Sequence, residues 1–216
     1  MSLTRLLQLA SPALPVGAYT YSQGLEWAIE AGTVSNEATA LAWIGDQLEW
    51  NLGRFEAPLL VRMMAAQKIG AGDTAAELDA QYLASRETAE LRAETLQMGH
   101  SLARLIGDLR EVISLPPSPS FPTAWSALAV HWQIAPAEAL TAWLWSWAEN
   151  QVMAALKAVP LGQAAGQRLL LELGRRIPDV AGQALALDEE EYSNFAPGFA
   201  IASARHETQY SRLFRS

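Results

Sequence analysis

The chain has 216 residues, 50% hydrophobic and 18% charged, with a formal net charge of −8 and no cysteine. The apolar content excludes a disordered chain, and the acidic balance disfavours nucleic acid as the main partner. The missing thiols exclude disulfides, thiolate zinc sites, iron–sulfur clusters and a cysteine nucleophile.

Ala and Leu supply 39 and 31 residues against 16 for Val plus Ile, a composition that favours helix over strand. Leu3, Leu6 and Leu7 predict a short first helix, stopped by Pro12 and Pro15. Ser11 to Gly24 reads as an irregular loop, followed by a helix from about Gln23 to Ala31 that ends at Gly32. Ser35 is the expected N-cap of the next helix, where Leu41, Ile44, Leu48 and Leu52 recur at helical spacing. Helix continues from Phe55 to Ile69, breaks at Gly70-Ala71-Gly72, and restarts with Asp73 as cap through Ala84.

The stripe Leu91, Met98, Leu102, Leu105, Leu109 predicts a long helix from about Arg86 to Leu109. Pro116 to Ser120 is a stiff linker between two halves of one helical structure. Helices follow near Thr123–Gln133 and Pro136–Ala158, the second with Pro in its first turn. Trp143, Trp145 and Trp147 leave that helix apolar nearly all round, which predicts a central position. Two more helices are expected near Leu161–Arg176 and Asp179–Leu187, then an acidic loop from Asp188 to Gly198. In the tail, Tyr210, Leu213 and Phe214 fall at i, i+3, i+4 and predict a terminal helix with Arg205, Arg212 and Arg215 around them. The expected fold is all-α: one multi-helix bundle of about eight to ten helices over residues 1–216, without a sheet. Segments near 1–5, 115–121, 188–198 and 205–216 are expected to be flexible or ordered by partners.

No signal peptide is visible, and no apolar run approaches the roughly 18 residues of a membrane span, so a soluble cytoplasmic protein is the default. Chemistry-bearing motifs are sparse. Gly99-His100-Ser101-Leu102-Ala103 partly matches the hydrolase elbow, but its last position is Ala and it falls in mid-helix. A helical small-molecule enzyme using Ser101, or the Glu87/Glu90/Glu94 face, is the alternative reading. That face reads more simply as solvated, with an Arg86–Glu90 pair. His100, His131 and His206 lack the spacing of a helical metal site and read as surface or half-buried residues. Both phosphate-binding glycine motifs are missing, so no nucleotide is expected on this chain; without Cys or clustered His no metal or other cofactor is expected either, and the chain is not expected to be an enzyme.

Two segments do not follow from generic helix composition: the loop Leu14-Pro15-Val16-Gly17-Ala18-Tyr19-Thr20-Tyr21-Ser22-Gln23-Gly24-Leu25-Glu26, and the tail from Arg205 to Ser216. Both resemble the urease accessory protein UreF family, as do Arg86 to Arg92 with Met98-Gly99, and Val159 to Gln167. The resemblance spans essentially the whole chain. It implies an all-α, non-catalytic homodimer that binds UreD (UreH), recruits and regulates the GTPase UreG, and serves nickel insertion into apo-urease. Nickel and GTP would then be handled by the assembled complex. Partner contacts implied by the resemblance fall on Arg205, His206, Glu207, Tyr210, Arg212, Leu213 and Phe214 of the tail, and on Tyr19, Ser22 and Glu26 of the loop.

Overall fold

The computed structural model describes residues 2–216 and holds helices with no strand among those residues. Helix α1 (Ser2–Leu9) ends before Pro12, and the loop that follows contains one short 3₁₀ turn at Ala18–Thr20. Helix α2 (Leu25–Glu30) closes at Gly32, whose φ of +76° is the left-handed geometry expected after a helix. The cap of α3 (Glu37–Asp46) is Asn36, one residue beyond the predicted Ser35. Its side chain accepts from Thr39 N at 3.1 Å, and Thr39 Oγ1 accepts from Asn36 N in return.

From α3 the chain passes without a break through a π-helical run, Gln47–Glu56, into α4 (Ala57–Lys68). Pro58 has no N–H for the Arg54 carbonyl four residues before it. Ser193 N donates to that oxygen instead, at 3.1 Å, and ties the later acidic loop to this helix. Helix α5 (Gly72–Ala84) starts earlier than predicted, and Asp73 lies inside its first turn rather than capping it. There the carboxylate still favours the positive end of the helix. Helix α6 (Ala89–Asp108) starts later than predicted, because Thr88 Oγ1 accepts from Leu91 N and caps it.

Ser120 caps α7 (Phe121–His131), and α8 runs over Pro136–Ala158 as expected. The two helices predicted on either side of Pro178 are one, α9 (Gln163–Ala186). Leu169, Leu170, Leu173, Ile177, Val180, Ala181 and Ala184 form one continuous buried stripe across the proline. Burying them outweighs the ~3 kcal/mol that an interior proline costs. A short 3₁₀ turn, Glu189–Glu191, precedes α10 (Pro197–His206).

No helix forms over the tail, contrary to its apolar spacing. Its amides are taken by acceptors from elsewhere in the chain: Leu213 N and Phe214 N donate to Glu26, and Arg215 N donates to Thr20 O. Those bonds replace the i−4 ladder a helix would need.

Helix α8 is central, packed against α1, α2, α3, α4 and α9. Trp143 stacks on Phe121 at 5.2 Å and meets the edge of Trp125 at 5.3 Å. Gly99 lets α6 lie against the Pro119–Phe121 backbone, which a Cβ would overlap. A smaller cluster (Phe55, Leu59, Met63, Leu78, Tyr82) joins the π run and α4 to α5. No helix among the described residues is long and apolar enough to cross a membrane.

Candidate protein-interaction site

The site begins with a close helix contact. Gly24 has φ +78°, and a Cβ on it would fall 2.9 Å from Ser203 N. Only glycine lets the first turn of α2 lie directly on α10, and this sets Glu26 against His206. The imidazole is fully buried, with Nδ1 2.7 Å from Glu90 Oε2 and Nε2 3.3 Å from Glu26 Oε2. Each ring nitrogen thus faces a carboxylate, one on α6 and one on α2.

The same two carboxylates hold the tail. Glu26 Oε1 accepts from Leu213 N at 2.6 Å and Oε2 from Phe214 N at 3.0 Å, while Glu90 Oε1 pairs with Arg212. Glu207 reaches back to the start of α6, where Oε1 accepts from Ala89 N at 2.9 Å and Glu90 N at 3.3 Å. That carboxylate sits at the positive end of a long helix and supplements the Thr88 cap. Thr88 Oγ1 in turn lies 2.9 Å from Ser203 Oγ on α10.

The second half of the clip lies deeper. Ser216 O accepts from Ser22 N at 2.8 Å, from Ser22 Oγ at 2.6 Å and from Gln23 N at 3.0 Å. Gln23 adopts φ +53°, uncommon for a non-glycine residue, and both ends of its side chain are fixed. Nε2 donates to Glu94 Oε1 and Oε1 accepts from Trp147 Nε1, each at 2.7 Å. Ser216 Oγ donates to the other Glu94 oxygen, also at 2.7 Å. Burial pushes the Glu94 carboxyl up to about 7, although the hydrogen bonds from Ser216 and Gln23 and the charge of Arg86 act against the shift.

Behind Glu94 is a cavity of about 220 Å³, with Leu91, Met98, Trp143 and Trp147 in its walls. On its polar side Arg86 pairs with Glu56 at 2.8 Å and lies over the Tyr82 ring at 4.3 Å. On the outer face the chemistry changes. Lys157 Nζ stands 5.7 Å from the Tyr19 ring centre and 5.5 Å from that of Phe214. Phe214 is buried, whereas Tyr19 and Leu213 are 64% and 71% exposed and Tyr210 lies wholly in solvent.

The UreF family model matches residues 34–174, about two thirds of the chain. Over its whole length the chain is 61% identical to the urease accessory protein UreF of Azoarcus sp. (strain BH72), covering 96% of that protein. It is 59% identical to the urease accessory protein UreF of Dechloromonas aromatica and 50% identical to that of Methylobacillus flagellatus, covering 98% of each. This chain belongs to the UreF family.

In this UreF-family chain the loop and the tail, separated by most of the sequence, share one face. Ser22, Glu26, His206, Glu207, Arg212 and Phe214 are joined in the clip, and Tyr19 meets Phe214 through Lys157. Leu213 is anchored by its amide, and Arg205 and Tyr210 are exposed.

Three sequence expectations are corrected here. His206 is neither at the surface nor half-buried, although His100 and His131 are exposed. Glu87, Glu90 and Glu94 do not form a solvated helix face: Glu87 precedes α6, Glu90 and Glu94 bind the tail, and Arg86 pairs with Glu56 rather than Glu90. Among the described residues no group of three or more His, Cys, Asp or Glu could hold a metal. Ser101 is on α6, where its hydroxyl donates to Gln97 O at 2.9 Å, without the strand and sharp turn of a hydrolase elbow. In the sequence, Glu90 and Glu94 stand out only as a face, Gln23 and Ser216 only as members of the loop and the tail, and Thr88 and Ser203 not individually; none is expected there as a contact of the clip.

Proposed function

We propose that this chain is a non-catalytic scaffold of urease maturation. It binds UreD (UreH) through its tail, recruits and regulates the GTPase UreG, and works as a homodimer while GTP-dependent nickel insertion into apo-urease proceeds in the assembly. Nickel is cargo in this reading and GTP belongs to the partner.

The observation that carries the reading is the way the tail is held. Its backbone and Phe214 are fixed to the body, while the Tyr210 and Leu213 side chains point outward without cover. Large exposed side chains on a segment tied to the body, with exposed Tyr19 meeting Phe214 through Lys157, have the composition of an interface anchor. The relatives are urease accessory proteins, which supports taking a component of urease maturation as the partner of such an anchor.

The test is Tyr210→Ala with Leu213→Ala, which removes the displayed groups and leaves every clip hydrogen bond in place. Copurification with UreD is expected to fall at least about tenfold, with the helical circular dichroism unchanged. Undiminished copurification sinks the tail assignment. Reconstituting urease activation from UreD, UreG, nickel and GTP, with and without this chain, tests the wider role.

A further inference from the structure

We propose that detachment of the 207–216 tail is a proton-coupled step, in which the Glu94 carboxyl gives up its proton as Ser216 uncovers it. The proposal deepens the docking reading above, since a partner that takes the tail would take it from a protonated Glu94. The step itself belongs to this chain alone.

The geometry supplies the coupling. Glu94 is 6% exposed on α6, and its two oxygens are covered from different sides, one by Gln23 of the loop and one by Ser216 of the tail. The groups that face it from each packed element leave it without a cation of its own. Arg86, ahead of α6, is engaged by Glu56 of the π run and stacked on Tyr82 of α5. Tyr21 of the loop and Glu149 of α8 add no positive charge; Lys157 of α8 lines the same cavity, but its ammonium is engaged by the Tyr19 and Phe214 rings. In the outer half of the clip Arg212 is taken by Glu90, and His206 lies between Glu90 and Glu26. Arg215, the remaining tail cation, faces Tyr21. A buried carboxyl without a counter-ion favours its neutral form, and that form still serves as the acceptor for Ser216 or Gln23.

The direction of the pH effect follows. In the clipped state burial holds the Glu94 carboxyl near 7, and in contact with water it returns toward its ordinary value of 4.5. The clipped state therefore binds the proton more tightly. Its advantage is complete below about 4.5, declines as pH rises, and is gone above about 7. Alkaline conditions loosen the tail and acid holds it.

Hydrogen exchange of the Leu213 and Phe214 amides in the full chain reads this directly. After correction for intrinsic exchange, the opening constant is expected to rise about 25-fold between roughly pH 5.5 and 8 and then level off. In Glu94→Gln, which keeps the shape and cannot ionise, the rise attributable to Glu94 disappears. Carbon NMR titration of the Glu94 carboxyl in the unmodified chain is the second measurement, with a midpoint near 7 expected. It decides the matter should the variant fail to fold. A midpoint below about 5, a flat exchange profile, or a full rise retained in a folded Glu94→Gln would each overturn the proposal. Those outcomes leave the docking reading standing. Undiminished UreD binding by the Tyr210/Leu213 variant overturns the docking reading and leaves the proton coupling intact.

Discussion

The aromatic centre around α8 and the clip around Glu26 both exclude water, yet they are held in opposite ways. Trp125 and Leu140 are buried among carbon, and their packing is non-directional and indifferent to pH. His206 and Ser216 are as deeply buried, but their neighbours are carboxylates, hydroxyls and amides that must all be paired. Each such bond adds only about 1 kcal/mol, because water offers the same bond to the separated groups. An apolar core makes helices stay together, whereas a polar seam fixes where a segment lies and still lets it leave.

Substitutions can press on that contrast. Trp125→Ala should be the most damaging, since it opens a cavity beside Trp143 and Phe121. A loss of about 3–5 kcal/mol in chemical denaturation is expected, with the whole molecule affected. Glu26→Ala removes a buried charge that serves both His206 and two tail amides. The tail can detach and rehydrate, so the global loss should stay below about half that of Trp125→Ala, while exchange at Leu213 and Phe214 accelerates at least about tenfold. Equal losses from the two variants would mean that the clip is part of the core. Ser101→Ala, half-buried on α6, should change stability by less than about 0.5 kcal/mol and leave urease activation untouched. A loss of function there would revive the hydrolase reading.

Most of the fold was legible because Ala and Leu content, Pro and Gly positions and apolar spacing all act locally. The misreadings occur where a distant partner overrides the local rule. Pro178 reads as a break until the buried stripe of α9 is seen to continue through it. Tyr210, Leu213 and Phe214 read as a helix until Glu26 supplies the acceptors for the tail amides. Glu90 and Glu94 read as solvated because their tail partners lie 116 and 122 residues away. The π run left no sign in the apolar periodicity. The loop and the tail were singled out separately, and nothing in the linear order put them on one face.

The bond between Ser22 and Ser216 joins positions 194 residues apart. At about 5–20 residues per second, a ribosome needs roughly 10–40 s to make the intervening chain. Throughout that time Ser22, Gln23 and Glu26 exist without their partners from the tail, even when α2 has already formed. Attachment of the tail is therefore a late event of biosynthesis, and a nascent chain passes through a stage in which the loop is uncovered and Glu94 is open to water.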